Sequence, residues 1–458
     1  MTQGRLTALG LLLLDGVAVV LTFNLVAWLW LRGFGPLHLP IFEPLLLPAL
    51  LHVLGVHLID GYNPRTDMMS VTYTSHHTIA LFAVLLATLL LVHAVIPAGF
   101  TLQTSRFVTT MSYVLLIPVT LSYRRVIYRA QKSHQGQHYF LFLGSPEACE
   151  AFKEECRKTR MKQGVLYATH EALLGPSASR PAHVASEIGD VTRYLSEYED
   201  QLDAIILRET SHELPPKVMQ RLIELQFQGV PTYTLELFHE VYWRKIPLYR
   251  LNQTWLFQEG FQIAREPVFE RLKRLSDIVL SALGLLLGLP LLPIIAIAVW
   301  LEDRGPVFFT QPRVGKNHQV FNLHKFRTMR VHAAGAEYTS RDDDRITRIG
   351  RLLRASRLDE LPQLWNVLRG DMSLIGPRAE WVKLVERYEK EIPCYHFRHL
   401  VKPGITGWAQ INYPYGASVE DTLRKLEYDL YYIRYFSFVL DASIALKTIH
   451  VMLFGKGR

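Results

Sequence analysis

The chain has 458 residues, and its hydrophobic content of 49% with a mean hydropathy of +0.10 is high for a soluble protein yet low for a polytopic transporter. A net charge of +8 suits an anionic bilayer or phosphate ligands, and because no recognised nucleic-acid motif accompanies it, no nucleic-acid partner is expected. Three cysteines without a C-x-x-C pair give no disulfide framework and favour a reducing compartment. The composition favours about two or three domains, part membrane and part cytosolic.

Four apolar runs, near residues 9–31, 41–59, 79–95 and 107–121, predict a four-helix transmembrane region over residues 1–125. The second run is interrupted by a proline and a histidine, and the fourth is short. The first lacks a convincing cleavage site and indicates an anchor instead of a removed signal peptide. Four basic residues follow the fourth run and predict a cytoplasmic end there: Arg124, Arg125, Arg129 and Lys132.

Residues 137–257 change character, since short apolar runs alternate with helical segments. That alternation predicts a Rossmann-like α/β domain in the cytosol. Gly144 could open a dinucleotide-binding turn, but Pro146 stands where the second glycine should be. A structural or regulatory module is therefore favoured over a nucleotide site.

Residues 278–301 are almost wholly apolar, with Pro290 and Pro293 in their middle. By hydropathy alone this segment is a spanning helix. A span would put the following residues on the opposite side from the α/β domain, and two prolines favour a sharp break, so a re-entrant hairpin over residues 275–302 is preferred. Residues 433–454 fit an interfacial amphipathic helix or an ordinary packed helix.

Two adjacent acids, Asp359 and Glu360, lie among arginines in the stretch RASRLDELPQLWNVLRGDMSLIGPR, residues 354–378. Apolar residues recur around them at helical spacing, and Pro362 suits a first turn, so the acids are expected at a helix start. A positive helix end with arginines nearby can hold phosphate, while the structural alternative is a cap formed by Ser356 and Asp359. Neighbouring acids on a helix project about 100° apart and cannot flank one sugar, but they can serve two roles at one phosphate.

The sequence resembles the bacterial sugar transferase family, the monotopic phosphoglycosyl transferases. The likeness rests on LDELPQ, GDMS and GPR around the acids, on KFRTM at residues 325–329 and on KPGITGWAQ at residues 402–410. It runs from about residue 269 to 456 and departs at Ala379, where the family commonly has proline. The resemblance implies a mainly α-helical monotopic catalytic domain over residues 268–458, whose re-entrant helix is broken at Pro290.

The resemblance also implies the chemistry of the acids. Asp359 is the expected nucleophile, which forms an aspartyl-phosphosugar from a UDP-sugar, and Glu360 assists it. UMP leaves, and undecaprenyl phosphate then accepts the sugar 1-phosphate. By this resemblance, the reaction is the first membrane step of exopolysaccharide biosynthesis. Mg²⁺ is the expected cofactor, with Asp359 and Glu360 as candidate ligands. The candidate substrate-binding residues are basic, because such groups bind phosphate: Lys325, Arg327, Arg354, Arg378 and Lys402.

These expectations place the protein in the bacterial inner membrane, with its catalytic domain on the cytosolic face and membrane lipids as further partners. Two alternatives remain open. One is a catalytically silent membrane scaffold of polysaccharide assembly, and the other is an ordinary glycosyltransferase, which would release UDP. Whether the chain forms a homo-oligomer is also left open.

Overall fold

The computed structural model describes residues 3–31, 43–63, 66, 68–92, 105–134, 139–159, 161, 163–169, 188–198, 201–208, 214–248, 267–330, 343–413, 416 and 418–454. The chain divides into two compact units. The first joins Met1–Arg129 with Gln258–Arg458, and the second is Ala130–Phe257.

The first unit opens with helices at each of the four predicted apolar runs. They are α1 (Gln3–Leu31), α2 (Leu46–Leu58), which follows a 3-10 turn at Glu43–Leu45, α3 (Val71–Leu90) and α4 (Arg106–His134). Among the described residues of these helices, the stretches Thr7–Trp30 and Tyr73–Leu90 are long and apolar enough to cross a membrane, and α2 is a shorter apolar helix. Two apolar helices of spanning length are therefore present, and four spans stay a prediction.

A buried polar cluster joins these helices. Asp15 of α1 forms an ion pair with Arg124 of α4, and neither side chain is exposed. The Tyr62 and Tyr123 hydroxyls donate to the Asp15 carboxylate, and Arg124 also donates to the Gly61 carbonyl at 2.5 Å. Arg124 thus belongs to the packing of this bundle and is not one of its solvated end charges.

The second unit is built on a parallel sheet of five strands in the order β3-β2-β1-β4-β5. The strands are β1 (Tyr139–Leu143), β2 (Gly164–Thr169), β3 (Ile188–Asp190), β4 (Leu202–Leu207) and β5 (Thr232–Thr234). The helices are α5 (Pro146–Lys158), α6 (Val191–Glu197), α7 (Pro216–Phe227) and α8 (Leu235–Phe238), the last followed by a π-helical turn at His239–Trp243. The predicted alternation of strands and helices is observed, and the Rossmann-like assignment stays a prediction.

The loop after β1, which contains Gly144, leads directly into a capped helix. Ser145 is the N-cap of α5 and accepts from the Ala148 amide, and Pro146 occupies the first turn. The turn is closed by an ordinary cap, which needs no second glycine.

The first unit resumes with two apolar helices, α9 (Pro267–Gly288) and α10 (Leu291–Asp303). They are bent by 62° at a short break. Pro290 occupies the N-cap of α10 at this break, whereas Pro293 lies in the first turn of α10, where a missing amide hydrogen costs little.

The rest of the first unit is a mixed helical and sheet body. Its strands form the antiparallel hairpin of β6 (Phe308–Val314) and β7 (Val320–Phe326), joined by a turn at Lys316–His318, and the parallel pair of β8 (Ser373–Ile375) and β9 (Gly404–Thr406). Its helices are α11 (Arg348–Ser356), α12 (Gln363–Arg369), α13 (Val382–Glu391), α14 (Trp408–Asn412), α15 (Val419–Arg434) and α16 (Phe438–Phe454). Besides the 3-10 turn at Lys316–His318, 3-10 helices lie at Leu358–Glu360 and Tyr395–Leu400. The C-terminal α16 packs against α3 and α14, as the prediction of an ordinary packed helix requires.

The buried Asp15–Arg124 pair gives a prediction for stability. Arg124→Leu should lower the free energy of unfolding by about 3–5 kcal/mol, because it leaves the Asp15 charge buried without its partner. The double variant Asp15→Leu with Arg124→Leu should lose much less, since no charge is stranded. Thermal unfolding of the full chain in detergent compares them, and equal losses for the single and double variants would contradict the pairing.

Candidate functional site

Asp359 and Glu360 lie in the 3-10 helix Leu358–Glu360, between α11 and α12, with side chains that are both buried. Arg357 ends α11 in the left-handed region at φ 60°, which turns the chain into this short segment. Pro362 is the N-cap residue of α12, so the predicted position at a helix start is confirmed. The alternative of a Ser356 cap is not observed, because the Ser356 hydroxyl donates back to the Leu352 carbonyl at 2.9 Å.

Glu360 is held by a cation. The Lys325 Nζ donates to its Oε1 at 2.9 Å, and an Arg357 guanidinium nitrogen lies 3.7 Å from the same oxygen. Burial by itself would raise the pKa of Glu360, but Lys325, Arg378 and Arg357 hold that pKa below its usual value. Burial lowers the pKa of Lys325, and Glu360 opposes that shift. Glu360 is thus an ionised carboxylate in a buried ion pair.

Asp359 has the opposite environment. Its Oδ1 is buried and accepts no hydrogen bond from any residue that the structure describes. Burial raises the pKa of Asp359, the adjacent Glu360 raises it further, and Lys325 and Arg354 act against the shift. Two neighbouring carboxyls with pKa values pushed in opposite directions are a common basis for divided catalytic roles.

The acid pair, Asp359 and Glu360, is held in place from β7 and α9. The buried Asn366 of α12 accepts from the His324 amide at 3.1 Å and donates to the Asn322 carbonyl at 2.8 Å. Arg274 of α9 donates to the Val367 and Leu368 carbonyls at 2.5 and 2.7 Å. The Arg274 bonds hold the end of α12 to α9, and the Asn366 bonds fix α12 against the strand that carries Lys325.

A small basic cavity lies beside the acid pair. It is lined by Lys325, Arg378, Gln363 and Arg313, among others. Burial lowers the pKa of Arg313 to about 10, and its Nε is buried without a partner among the described residues. Arg313 was missed by the sequence analysis, because only the pairing of β6 with β7 brings it here and no local motif marks it.

The other predicted cations have different surroundings. Arg327 is buried, donates to both carboxylate oxygens of Asp303 and also binds the Pro306 and Met329 carbonyls at 2.5 and 3.0 Å. Its contacts tie the end of α10 to the end of β7. Arg354 donates to the Thr328 hydroxyl at 2.9 Å and lies close enough to Asp359 to influence its pKa.

Lys402 has charged neighbours on α9. Burial lowers its pKa, and the charged groups that act on it are Arg274, Asp277, Lys316 and Glu270. The structure therefore brings Lys325, Arg378 and Arg354 around the acid pair, while Arg327 faces α10 and Lys402 faces α9.

The C-terminal part of the chain is similar to known proteins. Residues 268–455 match the family described as bacterial sugar transferase. The exopolysaccharide production protein PSS of Rhizobium leguminosarum bv. phaseoli is 41% identical over 186 residues, which cover 39% of this chain and 93% of the relative. The chain belongs to the bacterial sugar transferase family.

Two further relatives extend the family match. The UDP-N-acetylgalactosamine-undecaprenyl-phosphate N-acetylgalactosaminephosphotransferase of Aeromonas hydrophila is 38% identical over 257 residues, 56% of this chain and 60% of the relative. The undecaprenyl-phosphate glucose phosphotransferase of Komagataeibacter xylinus is 47% identical over 196 residues, 40% of this chain and 36% of the relative. The chain thus spans less than two thirds of these two transferases.

The opposite surroundings of the two acids predict opposite effects on stability. The pKa of Asp359 is raised in the folded state, so its protonated carboxyl stabilises the fold fully below the unfolded pKa of about 4. This stabilisation is lost as the pH rises through the folded pKa. Asp359→Asn should therefore unfold at a higher temperature than the wild type at pH 7, with a difference that shrinks towards pH 4. Thermal unfolding across this pH range measures it.

Glu360→Gln is the matched comparison. The pKa of Glu360 is lowered in the folded state, so its carboxylate stabilises the fold above the unfolded pKa. This stabilisation is lost as the pH falls through the folded pKa. Because the variant leaves Lys325 buried without its partner, it should cost about 3 kcal/mol at pH 7. Equal shifts in the same direction for both variants would contradict the assigned environments.

Proposed function

We propose that this chain is a phosphoglycosyl transferase that moves a sugar 1-phosphate from a UDP-sugar to undecaprenyl phosphate and releases UMP. The observation that carries the proposal is the Asp359 oxygen that is buried without a hydrogen-bond partner among the described residues, beside a basic cavity. The Aeromonas and Komagataeibacter relatives are named for phosphotransfer to undecaprenyl phosphate, and the Rhizobium relative is named for exopolysaccharide production. The reaction would initiate exopolysaccharide biosynthesis.

The proposed reaction has two displacements at one phosphorus. A carboxylate oxygen of Asp359 attacks the β-phosphorus of the UDP-sugar, and the bond from that phosphorus to the bridging oxygen breaks. UMP leaves with the bonding electrons, and the sugar phosphate stays on Asp359 as an acyl phosphate. A phosphate oxygen of undecaprenyl phosphate then attacks the same phosphorus, the bond to Asp359 breaks, and the carboxylate is regenerated.

The surroundings of Asp359 suit this role. A carboxylate in a desolvated site is more basic than one in water, and a more basic oxygen is a stronger nucleophile. Lys325 keeps enough positive charge nearby for Asp359 to ionise, and Glu360 keeps Lys325 charged and oriented. Arg313 and Arg378 of the basic cavity would take up the charge of the diphosphate.

A divalent cation fits the same group of residues. The Asp359 oxygen, which has no hydrogen-bond partner in the described part of the chain, and the adjacent Glu360 carboxylate supply the oxygen ligands that Mg²⁺ prefers. Asp359 and Glu360 would hold the ion. Bound there, Mg²⁺ would neutralise part of the diphosphate charge.

The membrane topology is part of the proposal. Exposed apolar side chains cover both arms of the bent pair: Leu283, Leu286, Leu287, Ile294, Ile297 and Leu301. Arg274 ties α9 to α12, and Asp303 at the end of α10 is tied to Arg327. Because both arms are bound to one catalytic body, they would leave the membrane on the same face, as a re-entrant hairpin broken at Pro290.

The remaining regions complete this arrangement. Helices α1 to α4 would be the four spans of residues 1–125, and the parallel sheet of residues 137–257 would be a Rossmann-like cytosolic domain. UDP-sugars are cytosolic, so the catalytic domain, residues 268–458, would lie on the cytosolic face of the bacterial inner membrane. The net positive charge of the chain suits the anionic lipids there.

An assay of the released nucleotide tests the reaction. The purified full chain should form a lipid-linked product from undecaprenyl phosphate, Mg²⁺ and at least one of a panel of UDP-sugars, with UMP as the nucleotide. Asp359→Asn should lower turnover about a thousandfold or more, because it removes the attacking oxygen's charge. Glu391→Gln, which changes an exposed acid of α13, is the control and should keep wild-type turnover.

Three outcomes would contradict the proposal. Release of UDP would indicate an ordinary glycosyltransferase, and a wild-type chain that forms no lipid-linked product with any donor would indicate a scaffold. Substantial turnover of a folded Asp359→Asn variant would exclude Asp359 as the nucleophile.

A further inference from the structure

Three side chains with metal-binding atoms converge away from the acid pair. His318 comes from the turn between β6 and β7, Glu389 from α13, and His399 from the 3-10 helix Tyr395–Leu400. One ligand atom from each lies within 4.8 Å of the other two. The His318 Nδ1 is 3.5 Å from a Glu389 carboxylate oxygen, and the rings of His318 and His399 have centroids 4.7 Å apart.

His399 supplies a second, independent observation. Its side chain is buried, at 5% exposure, and its Nε2 has no hydrogen-bond partner among the residues that the structure describes. Buried polar atoms in folded proteins are nearly always satisfied, since an unsatisfied one costs its full desolvation. An imidazole nitrogen buried in this way against a second imidazole needs a partner, and a metal ion is one that would satisfy it.

We propose that His318, Glu389 and His399 bind a divalent transition metal, with zinc the best match. Two imidazoles and one carboxylate are a ligand set of zinc sites, in which a water fills the fourth position. Bonds of about 2.0–2.1 Å to a tetrahedral ion place ligand atoms about 3.4 Å apart, close to the separation of the His318 and Glu389 atoms. The all-oxygen preference of Mg²⁺ separates this metal site from the acid pair, and the inference does not depend on the proposed function.

The metal would brace a segment that reaches the basic cavity. His399 follows Arg398, which is buried and donates to the Arg378 carbonyl at 3.0 Å and to the Asp429 carboxylate at 2.9 Å. A metal bound by His399 and His318 would tie this 3-10 helix to the β6–β7 turn. Its role would be to position Arg378, not to contact substrate.

The turn supplies a useful variant. The Gln319 amide donates to the Lys316 carbonyl at 3.1 Å, and both central residues have positive φ, 52° at Asn317 and 61° at His318. A turn of this kind favours glycine at the second central position. His318→Gly therefore removes a ligand without harming the turn, and the metal-free variant should unfold at the wild-type temperature or above it. Glu389→Gln, at an exposed position, is the second ligand variant.

The test uses the untagged full chain in detergent, stripped of metal by a chelator and titrated with Co²⁺ as a spectroscopic probe of zinc sites. The wild type should bind about one Co²⁺ per chain with visible absorption of low-symmetry coordination, and Zn²⁺ should displace it. His318→Gly and Glu389→Gln should weaken binding about tenfold or more. Zn²⁺ should raise the unfolding temperature of the wild type but not that of His318→Gly.

Two controls keep the assignment specific. His396→Ala removes an exposed histidine of the same 3-10 helix that lies outside the cluster, and Asp359→Asn alters the acid pair; both should keep the visible cobalt spectrum of the wild type. The proposal is overturned by wild-type binding no tighter than that of His318→Gly and Glu389→Gln. It is equally overturned if His396→Ala or Asp359→Asn abolishes the cobalt spectrum.

Discussion

The buried ion pair between Lys325 and Glu360 is the contact on which the site depends. It joins the end of β7 to the 3-10 helix that carries both acids, at a separation of 2.9 Å. It also gives the two carboxyls different surroundings. Lys325 donates to Glu360, and the buried Asp359 oxygen has no partner among the described residues. One lysine therefore fixes both the geometry of the acid pair and the difference between its members.

The same body connects the site to its apolar anchor. Arg274 of α9 closes the end of α12, and Arg327 at the end of β7 clamps Asp303 at the end of α10. Each arm of the bent apolar pair is thus bound to an element that also positions the acid pair or Lys325. In the proposed topology, the depth of the anchor in the bilayer and the placement of the nucleophile are mechanically linked, which suits a reaction between a soluble donor and a lipid acceptor.

The sequence predicted features that depend on neighbouring residues. Local spacing placed Asp359 and Glu360 at a helix start, and the alternation of apolar runs predicted the strands and helices of residues 137–257. The sequence also indicated that basic groups surround the acids, which is true of Lys325 and Arg378.

Contacts between residues that are far apart in the chain could not be predicted from the sequence. A motif does not show whether a guanidinium turns outward or inward, and Arg327 turns towards Asp303, 24 residues away. Arg124 was interpreted as an end charge because its partner, Asp15, lies 109 residues earlier. Arg313 enters the basic cavity only through strand pairing, and Lys402 shares a motif with loop glycines yet faces α9.

The central claim is that Asp359 becomes covalently bonded to the sugar phosphate, and peptide mass spectrometry tests it most directly. The full chain is incubated with Mg²⁺ and a UDP-sugar labelled in the sugar, without acceptor, then quenched and digested. The account predicts that the label is attached to Asp359 and that undecaprenyl phosphate, added before the quench, removes it as a lipid-linked product. An active preparation that carries no labelled peptide, or carries the label on another residue, would contradict the account.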